Sequence, residues 1–346
     1  MSLPSLPPFV RRLMPDVFTF AILCMVALAS VLPVTGTAAV AFGDITAVAI
    51  GLLFFLHGAK LSRDALLSGL THWRLHLLVL VSTFVMFPLL GLAVKPLALL
   101  MLTPDLYLGI LFLCVLPSTV QSSIAFTAVA RGNVPAAICS ATASNFLGIF
   151  LTPLLVGTLV LHGAAASGHS ALDSVLSIVE QLLLPFIGGQ LLRPWIGAWI
   201  DRNKGMLRYV DQGSILLVVY TAFSASVAEG LWHSMSVGTL AALALLSCVL
   251  LAVALGVGTF ASRRFGFSRE DEVAIVFCGS KKSLASGIPM AKVLFAPTSL
   301  GMVILPLMLF HQIQLMVCAV LAQRYARRAE EAALPVAASG VETPSV

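Results

Sequence analysis

The sequence predicts an all-α polytopic membrane protein with ten transmembrane helices. Of its 346 residues, 59% are hydrophobic and only 10% are charged, whereas an ordinary soluble domain carries about 25% charged residues. So few charges cannot cover the surface of a soluble protein of this size, and the same composition excludes intrinsic disorder. The apolar stretches are long and continuous, which favours helices over transmembrane β-strands, whose residues alternate in polarity.

Hydrophobic stretches long enough to cross a bilayer recur along the chain, separated by polar or Gly/Pro-rich joints. We assign the spans to residues 17–35, 46–61, 75–94, 106–129, 135–161, 175–197, 210–228, 237–261, 272–294 and 299–322. The first is interpreted as a retained helix and not as a signal peptide, because it is long enough to span and is followed by no clear cleavage site. Residues 324–346 are polar and rich in small residues, which predicts a disordered cytoplasmic tail after a transporter domain at 1–323.

The basic residues indicate the orientation of these spans. Of the 20 Lys and Arg residues, 16 fall at joints on one side of a ten-span arrangement. They are Arg11, Arg12, Lys60, Arg63, Arg74, Arg131, Arg193, Arg202, Lys204, Arg208, Arg263, Arg264, Arg269, Arg324, Arg327 and Arg328. The positive-inside rule places that side, and with it both termini, in the cytoplasm of a plasma (inner) membrane protein. This placement accounts for the net charge of +5 without a nucleic-acid partner.

Two of the spans are interrupted at corresponding positions. Ten spans divide into five plus five, and an odd number per half orients the halves oppositely, as in an inverted repeat. Span 4 is broken at 116–123 (LPSTVQSS) and span 9 at 278–283 (CGSKKS). Paired breaks of this kind indicate a transport site, and half-helix N-termini at a break favour anions. The alternative is a simple kink whose backbone groups bond to neighbouring Ser and Thr side chains.

The polar side chains at the breaks are the candidate substrate ligands. They are Ser118, Thr119, Gln121, Ser122 and Ser123 in span 4, Asn145 in span 5, and Ser280, Lys281, Lys282 and Ser283 in span 9. Each intramembrane lysine costs about 3 kcal/mol on insertion scales, so Lys281 and Lys282 require a reason. They form an anion site, replace a bound cation, or pair with a structural partner such as Glu180. His57 and His311 are further coupling candidates, with hydrogen-bonded packing as their alternative role.

At these residues the sequence resembles the bile acid:sodium symporter superfamily, in its bacterial branch related to sodium/bile acid cotransporter 7. The resemblance covers all ten spans and is most specific at 51–58 (GLLFFLHG), 117–123, 130–134 (ARGNV), 278–283 and 310–315 (FHQIQL). It implies a panel domain of spans 1, 2, 6 and 7 and a core domain of spans 3–5 and 8–10, with spans 4 and 9 crossing in the core. It also implies that substrate binds in the crevice between these domains, near the crossing, and that members mostly carry organic anions with sodium.

The sequence departs from the sodium-coupled members at the positions where the resemblance implies sodium ligands. The expected carboxylate is Phe277, the expected Gln is Lys281, the Ser-Asn pair is Ser122-Ser123, and two hydroxyl ligands fall on Ala137 and Ala141. An ammonium at a sodium site would repel a second cation. The lysine is then either a built-in surrogate cation or a titrating group of a proton-linked carrier. The coupling ion is sodium, a proton or none, and we predict no metal site and no cofactor.

We therefore predict a secondary transporter of a small organic anion that works by alternating access in the lipid bilayer. The alternative is a membrane regulator or partner-binding protein that uses the transporter fold without transporting. A membrane-embedded enzyme is not expected, because the sequence contains no HExxH, DDxxD or Gly-x-Ser-x-Gly motif.

Overall fold

The computed structural model describes residues 17–60, 72–161, 183–228, 230 and 235–333, and within these ranges the regular structure is entirely helical. The helices are α1 (Val17–Val31), α2 (Gly36–Lys60), α3 (Trp73–Ala93), α4 (Lys95–Met101), α5 (Pro104–Val115), α6 (Val120–Val129), α7 (Val134–Leu155), α8 (Leu184–Arg202), α9 (Lys204–Ala228), α10 (Val237–Arg264), α11 (Arg269–Gly279), α12 (Leu284–Leu294) and α13 (Pro297–Ala333). Glu180 and residues 334–346 lie outside the described residues.

Six of these helices, α2, α3, α7, α9, α10 and α13, are long and apolar enough to cross a membrane. The number rises to seven when α5 and α6, bent by 62° at their break, are taken as one span. Many large apolar side chains remain exposed on the helices, among them Val48 at 73% and Leu100 at 83%. Lipid covers such surfaces in an integral membrane protein, which is the class that the composition predicts.

Two helix boundaries differ from the predicted spans by ten residues or more. The second helix begins at Gly36 and not at residue 46, because Gly36 adopts a φ of 64° that ends the preceding turn. The last helix continues to Ala333, through a stretch that the sequence assigned to the tail. Arg269 holds this extension, since its guanidinium donates hydrogen bonds to the carbonyls of Tyr325 (2.8 Å) and Arg328 (2.9 Å).

One group of packed helices consists of α1, α2, α8 and α9. The backbones of α2 and α8 approach closely because both helices carry glycine at the contact. A Cβ atom at Gly58 would overlap the carbonyl of Phe186, and one at Gly189 would overlap the carbonyl of Phe55. Small residues at such contacts are typical of membrane helices, where van der Waals packing drives association.

A second group contains α3, α5–α7 and α10–α13, and α9 contacts both groups. Asn133 links two parts of this second group. Its side chain caps α7 by accepting a hydrogen bond from Ala136 N (3.0 Å) and donates to Asp271 Oδ1 (2.7 Å) at the start of α11. The two interrupted helix pairs, α5–α6 and α11–α12, therefore lie in the same packed unit.

Candidate functional site

Both predicted breaks are present, and both are shorter than predicted. The first covers residues 116–119, so the prediction that it extends to residue 123 is wrong: Gln121, Ser122 and Ser123 are helical residues of α6. Pro117 disfavours helix in the residue before it, and Leu116 is extended, but nothing prevents a new helix from Val120. The second break covers residues 280–283, so the prediction that it begins at residue 278 is wrong: Cys278 and Gly279 are helical residues of α11. It ends where Ser283 caps α12 by accepting a hydrogen bond from Ser286 N (3.2 Å).

The two breaks contact each other, at a place that we call the crossing, and they satisfy each other's backbone groups. Ser283 N donates to the carbonyl of Pro117 (2.9 Å), and Thr119 Oγ1 donates to the carbonyl of Lys282 (2.9 Å). Ser118 Oγ donates to the carbonyl of Cys278 at 2.6 Å. Unpaired backbone polar groups are costly away from water, so this reciprocal bonding explains how irregular backbone persists here.

Asn145 on α7 joins both breaks. Its Nδ2 donates to the carbonyl of Ser118 (2.6 Å), and its Oδ1 accepts from Ser286 Oγ (2.8 Å) on α12. The adjacent Ser144 accepts a hydrogen bond from Ser118 N through its Oγ (3.0 Å). The amide predicted as a site residue is therefore fixed at the crossing by partners on both interrupted pairs.

Lys282 places a buried ammonium among three backbone carbonyls. Its Nζ donates to the carbonyl oxygens of Thr83 (2.9 Å), Cys114 (2.8 Å) and Leu116 (2.8 Å), and the side chain is fully buried. The Nζ also lies 4.2 Å from the centroid of the Phe87 ring. Every hydrogen of the ammonium has an acceptor, which is the full donor capacity of lysine.

Prolines leave two of these three carbonyls free. The segment Ser82–Met86 of α3 is a π-helical turn in which Phe87 N bonds to the carbonyl of Ser82, and the next residue, Pro88, has no N–H to offer Thr83. At the end of α5, Pro117 likewise offers no N–H to Cys114, and Ser118 N bonds to Ser144 instead. The helices therefore present unpaired acceptors that a cation can occupy.

Lys281 lies in a different environment. Its Nζ lies 3.8 Å from the centroid of the Phe126 ring and 5.6 Å from that of Phe277, and the side chain is fully buried. It has no hydrogen-bond partner among the described residues, and Ser122 Oγ is likewise buried without one. The two adjacent lysines thus point to separate sites, one polar and one aromatic.

Gln314 on α13 is a site residue that the sequence analysis did not select. Its Oε1 accepts from Lys282 N (3.0 Å) and its Nε2 donates to the Lys282 carbonyl (3.1 Å), so one amide pairs with the backbone of the second break. The same Nε2 lies 2.9 Å from Nδ1 of His311. The sequence feature that could have identified Gln314 is its position as the second amide of the FHQIQL segment, one helical turn after His311.

A cavity of about 250 Å³ lies beside the crossing, between α2 and α8 on one side and α6, α7 and α12 on the other. Its polar lining consists of His57, Lys60, Thr142, Asn145 and Ser286; its apolar lining consists of Leu53, Phe54, Val120, Phe146, Ile149, Phe186 and Met290. The Lys60 ammonium pairs with the carboxylate of Asp211, and His57 Nδ1 lies 2.7 Å from the carbonyl of Leu53.

The structure places the predicted site residues in different surroundings. Asn145 and His57 line the cavity, whereas Lys281 and Lys282 do not. Ser118, Thr119 and Ser283 bond within the crossing, Ser123 Oγ donates to the Phe277 carbonyl (3.2 Å), and Ser280 Oγ donates to the Val276 carbonyl (2.6 Å). Gln121 is exposed. Glu180, the predicted lysine partner, lies outside the described residues.

Comparison with known proteins identifies the family. Residues 16–327 match the SBF-like CPA transporter family. The chain belongs to this family. The predicted resemblance to the bile acid:sodium symporters is confirmed, and the chain is accordingly a membrane transporter of that type and not an enzyme.

Similar proteins occur in bacteria and vertebrates. The chain is 64% identical over 334 residues to the Pseudomonas aeruginosa protein PA2026, covering 96% of this chain and 98% of that protein. It is 56% identical over 320 residues to the symporter candidate YfeH of Escherichia coli, covering 91% and 94%. It is 32% identical over 281 residues to sodium/bile acid cotransporter 7 of Danio rerio, covering 80% and 82%.

Proposed function

We propose that this protein is a secondary transporter of a small organic anion, in which Lys282 takes the place of a coupling sodium ion. The observation that carries the proposal is the ammonium held by three backbone carbonyls at the crossing of two broken helices. Backbone carbonyls are ligands that hard cations accept. A cation fixed covalently to the chain can organise the crossing as a bound ion would, but it cannot leave with the substrate.

The architecture in this proposal has ten spans in a five-plus-five inverted repeat, with both termini in the cytoplasm of the inner membrane. The shorter helices α1 and α8 and the pair α11–α12 supply the spans that length and composition alone do not detect. The panel domain consists of α1, α2, α8 and α9, and the core domain consists of α3, α5–α7 and α10–α13. The packing of each set, with the cavity between α2–α8 and α6–α7–α12, supports this division.

The volume and lining of the cavity favour a small amphipathic substrate. Its volume of about 250 Å³ lies below the roughly 300–1,000 Å³ of pockets for drug-sized ligands. Its walls are mostly apolar, and Asn145 and Ser286 supply polar groups at the edge that faces the crossing. Transport by alternating access then requires the panel and the core to move relative to each other around this cavity.

The charge around the crossing favours an anion. Neither Lys281 nor Lys282 forms an ion pair with a carboxylate of the described chain, so two positive charges lie behind the cavity wall. We infer that they attract the substrate through their field, because neither lines the cavity in this conformation. A fixed charge is favoured over a titrating one at Lys282, since a neutral amine has only two hydrogens for three carbonyls.

The test is uptake of radiolabelled small carboxylates by proteoliposomes that contain the full chain. We expect saturable uptake that persists when sodium is replaced by choline, and a decrease of at least tenfold in Asn145→Ala. The matched control is Asn203→Ala, which removes the same group from a half-buried position at the end of α8, away from the cavity, and leaves uptake unchanged. Uptake of cations but not of carboxylates would contradict the anion assignment, and an absolute sodium requirement would contradict the role of Lys282.

A further inference from the structure

A second concave surface lies on the outside of the molecule, between α10 and α13. It encloses about 1080 Å³ and is separate from the cavity beside the crossing. One wall is formed by positions 255, 256, 259, 260, 263 and 264 of α10, and the other by positions 316, 317, 320, 321 and 324 of α13. Both sets follow the helical spacing of a single face, so the groove runs along the helices.

The composition of the groove changes along its length. Its long part is apolar, with Phe260 71% exposed and Val320 46% exposed. Both walls end in arginine, Arg263 and Arg264 on α10 and Arg324 on α13. From Leu255 to Arg264 the α10 wall rises by about 13 Å. An apolar channel closed by cations at one end matches a molecule with a hydrocarbon chain and an anionic head.

Two of the three arginines are free to bind such a head group. Arg263 is engaged by Glu272, with Nε donating to Oε2 (2.9 Å) and Nη2 to Oε1 (3.1 Å). Arg264 and Arg324 are exposed and form no ion pair with any residue that the structure describes. Guanidinium groups bind phosphate through two parallel hydrogen bonds.

Gly256 leaves room at the apolar end of the groove. A Cβ atom at this position would have no other heavy atom within 4 Å. The helix therefore presents a gap in its wall where a side chain would otherwise stand, and a hydrocarbon chain can pack against the backbone there.

We propose that the groove between α10 and α13 binds an anionic phospholipid, with its phosphate on Arg264 and Arg324 and an acyl chain along Phe260 and Gly256. Basic pockets between membrane helices bind anionic lipid head groups in this way. The occupant is a lipid of the leaflet that borders the arginine ends of the two helices. The site lies away from the substrate cavity, so it does not depend on the identity of the transported anion.

The test is titration of the purified full chain in detergent with fluorescent phosphatidylglycerol and, separately, with phosphatidylcholine that has the same acyl chains. We expect phosphatidylglycerol to bind at least tenfold more tightly. The double variant R264Q/R324Q should weaken phosphatidylglycerol binding by roughly 30-fold, at about tenfold per 1.4 kcal/mol and about 1 kcal/mol for each arginine near an anionic surface. It should weaken phosphatidylcholine binding by a smaller factor, because the choline cation offsets the charge of the phosphate.

Two further variants separate the parts of the proposal. R202Q/R208Q removes two exposed arginines from α8 and α9 and should leave the binding of both lipids unchanged. Gly256→Leu fills the apolar end and should weaken both lipids, with the elution volume on size exclusion verifying the fold. Equal affinity for the two lipids, an unchanged affinity in R264Q/R324Q, or displacement of the lipid by millimolar glycerol phosphate would overturn the proposal.

Discussion

Removal of the Lys282 ammonium should destabilise the protein much more than removal of the Lys281 ammonium. Methionine has an unbranched side chain one heavy atom shorter than that of lysine, so Lys282→Met removes the ammonium and its hydrogen bonds with little other change. Three hydrogen bonds to a charged group contribute about 1.5–3 kcal/mol each. The variant no longer has the cost of burying an ion, and this gain offsets several kcal/mol of the loss. We therefore expect a net decrease of about 2–4 kcal/mol in the free energy of unfolding.

Lys281→Met is the matched comparison, because the same atoms are removed from an adjacent and equally buried position. The Lys281 ammonium lies over the Phe126 and Phe277 rings and has no hydrogen-bond partner among the described residues. Cation–π contacts contribute about 2 kcal/mol when desolvated, and the variant is also relieved of burying an ion, as at Lys282. We therefore expect the unfolding free energy of Lys281→Met to equal or slightly exceed that of wild type.

The assay is equilibrium unfolding in mixed micelles, followed by tryptophan fluorescence, for wild type and both methionine variants. Lys282→Met should unfold at the lowest denaturant concentration, and Lys281→Met close to wild type. A Lys281→Met variant that loses as much stability as Lys282→Met would refute the reasoning, since the carbonyl ligands would then not be the source of the difference.

Three further predictions concern the frame around the site, each measured by the same unfolding assay. Gly189→Ala should destabilise the protein by about 1–3 kcal/mol, because the added methyl overlaps the Phe55 carbonyl. The control Gly213→Ala places its methyl where no other heavy atom lies within 4 Å, and it should stabilise α9 by about 0.5–1 kcal/mol. Equal effects of the two variants would contradict the close packing of α2 and α8. Gln314→Leu should cost about 1–3 kcal/mol by leaving the Lys282 N–H unpaired, while the Lys282 carbonyl keeps its hydrogen bond from Thr119. A neutral result would show that the amide pairing is dispensable. Asn133→Ala should cost about 0.5–2 kcal/mol, because α7 loses its N-terminal cap. Asn133→Asp should retain the cap but place a second carboxylate beside Asp271. Full stability of the alanine variant would exclude the capping role.

The sequence predicted the features that local chemistry encodes. Pro117 and the CGSKKS segment indicated the two breaks because proline and irregular polar runs disrupt helices wherever they occur. Asn145 was selected because an intramembrane amide requires a partner, and it has one on each interrupted pair. The extent of the first break was predicted incorrectly, since Ser and Thr residues are compatible with both a loop and the first turn of a helix.

The ligands of Lys282 could not be predicted from residue types. They are backbone carbonyls of α3 and α5, and every residue has a carbonyl, so no side chain marks the site. Pro88 and Pro117 provide the indirect signal, because each leaves an acceptor unpaired nearby. The separate environments of Lys281 and Lys282 could not be predicted either, since adjacent residues point in directions that depend on the local backbone of the break.

The central claim, that a tethered ammonium replaces sodium, is tested most directly by thermal stability in sodium chloride and in choline chloride at matched ionic strength. Wild type and Lys282→Ala are measured side by side in detergent. We expect the wild-type midpoint to be the same in both salts and the alanine variant to be stabilised by sodium alone, since a ligand at 100 times its Kd contributes about 2.7 kcal/mol. Stabilisation of wild type by sodium would contradict the claim.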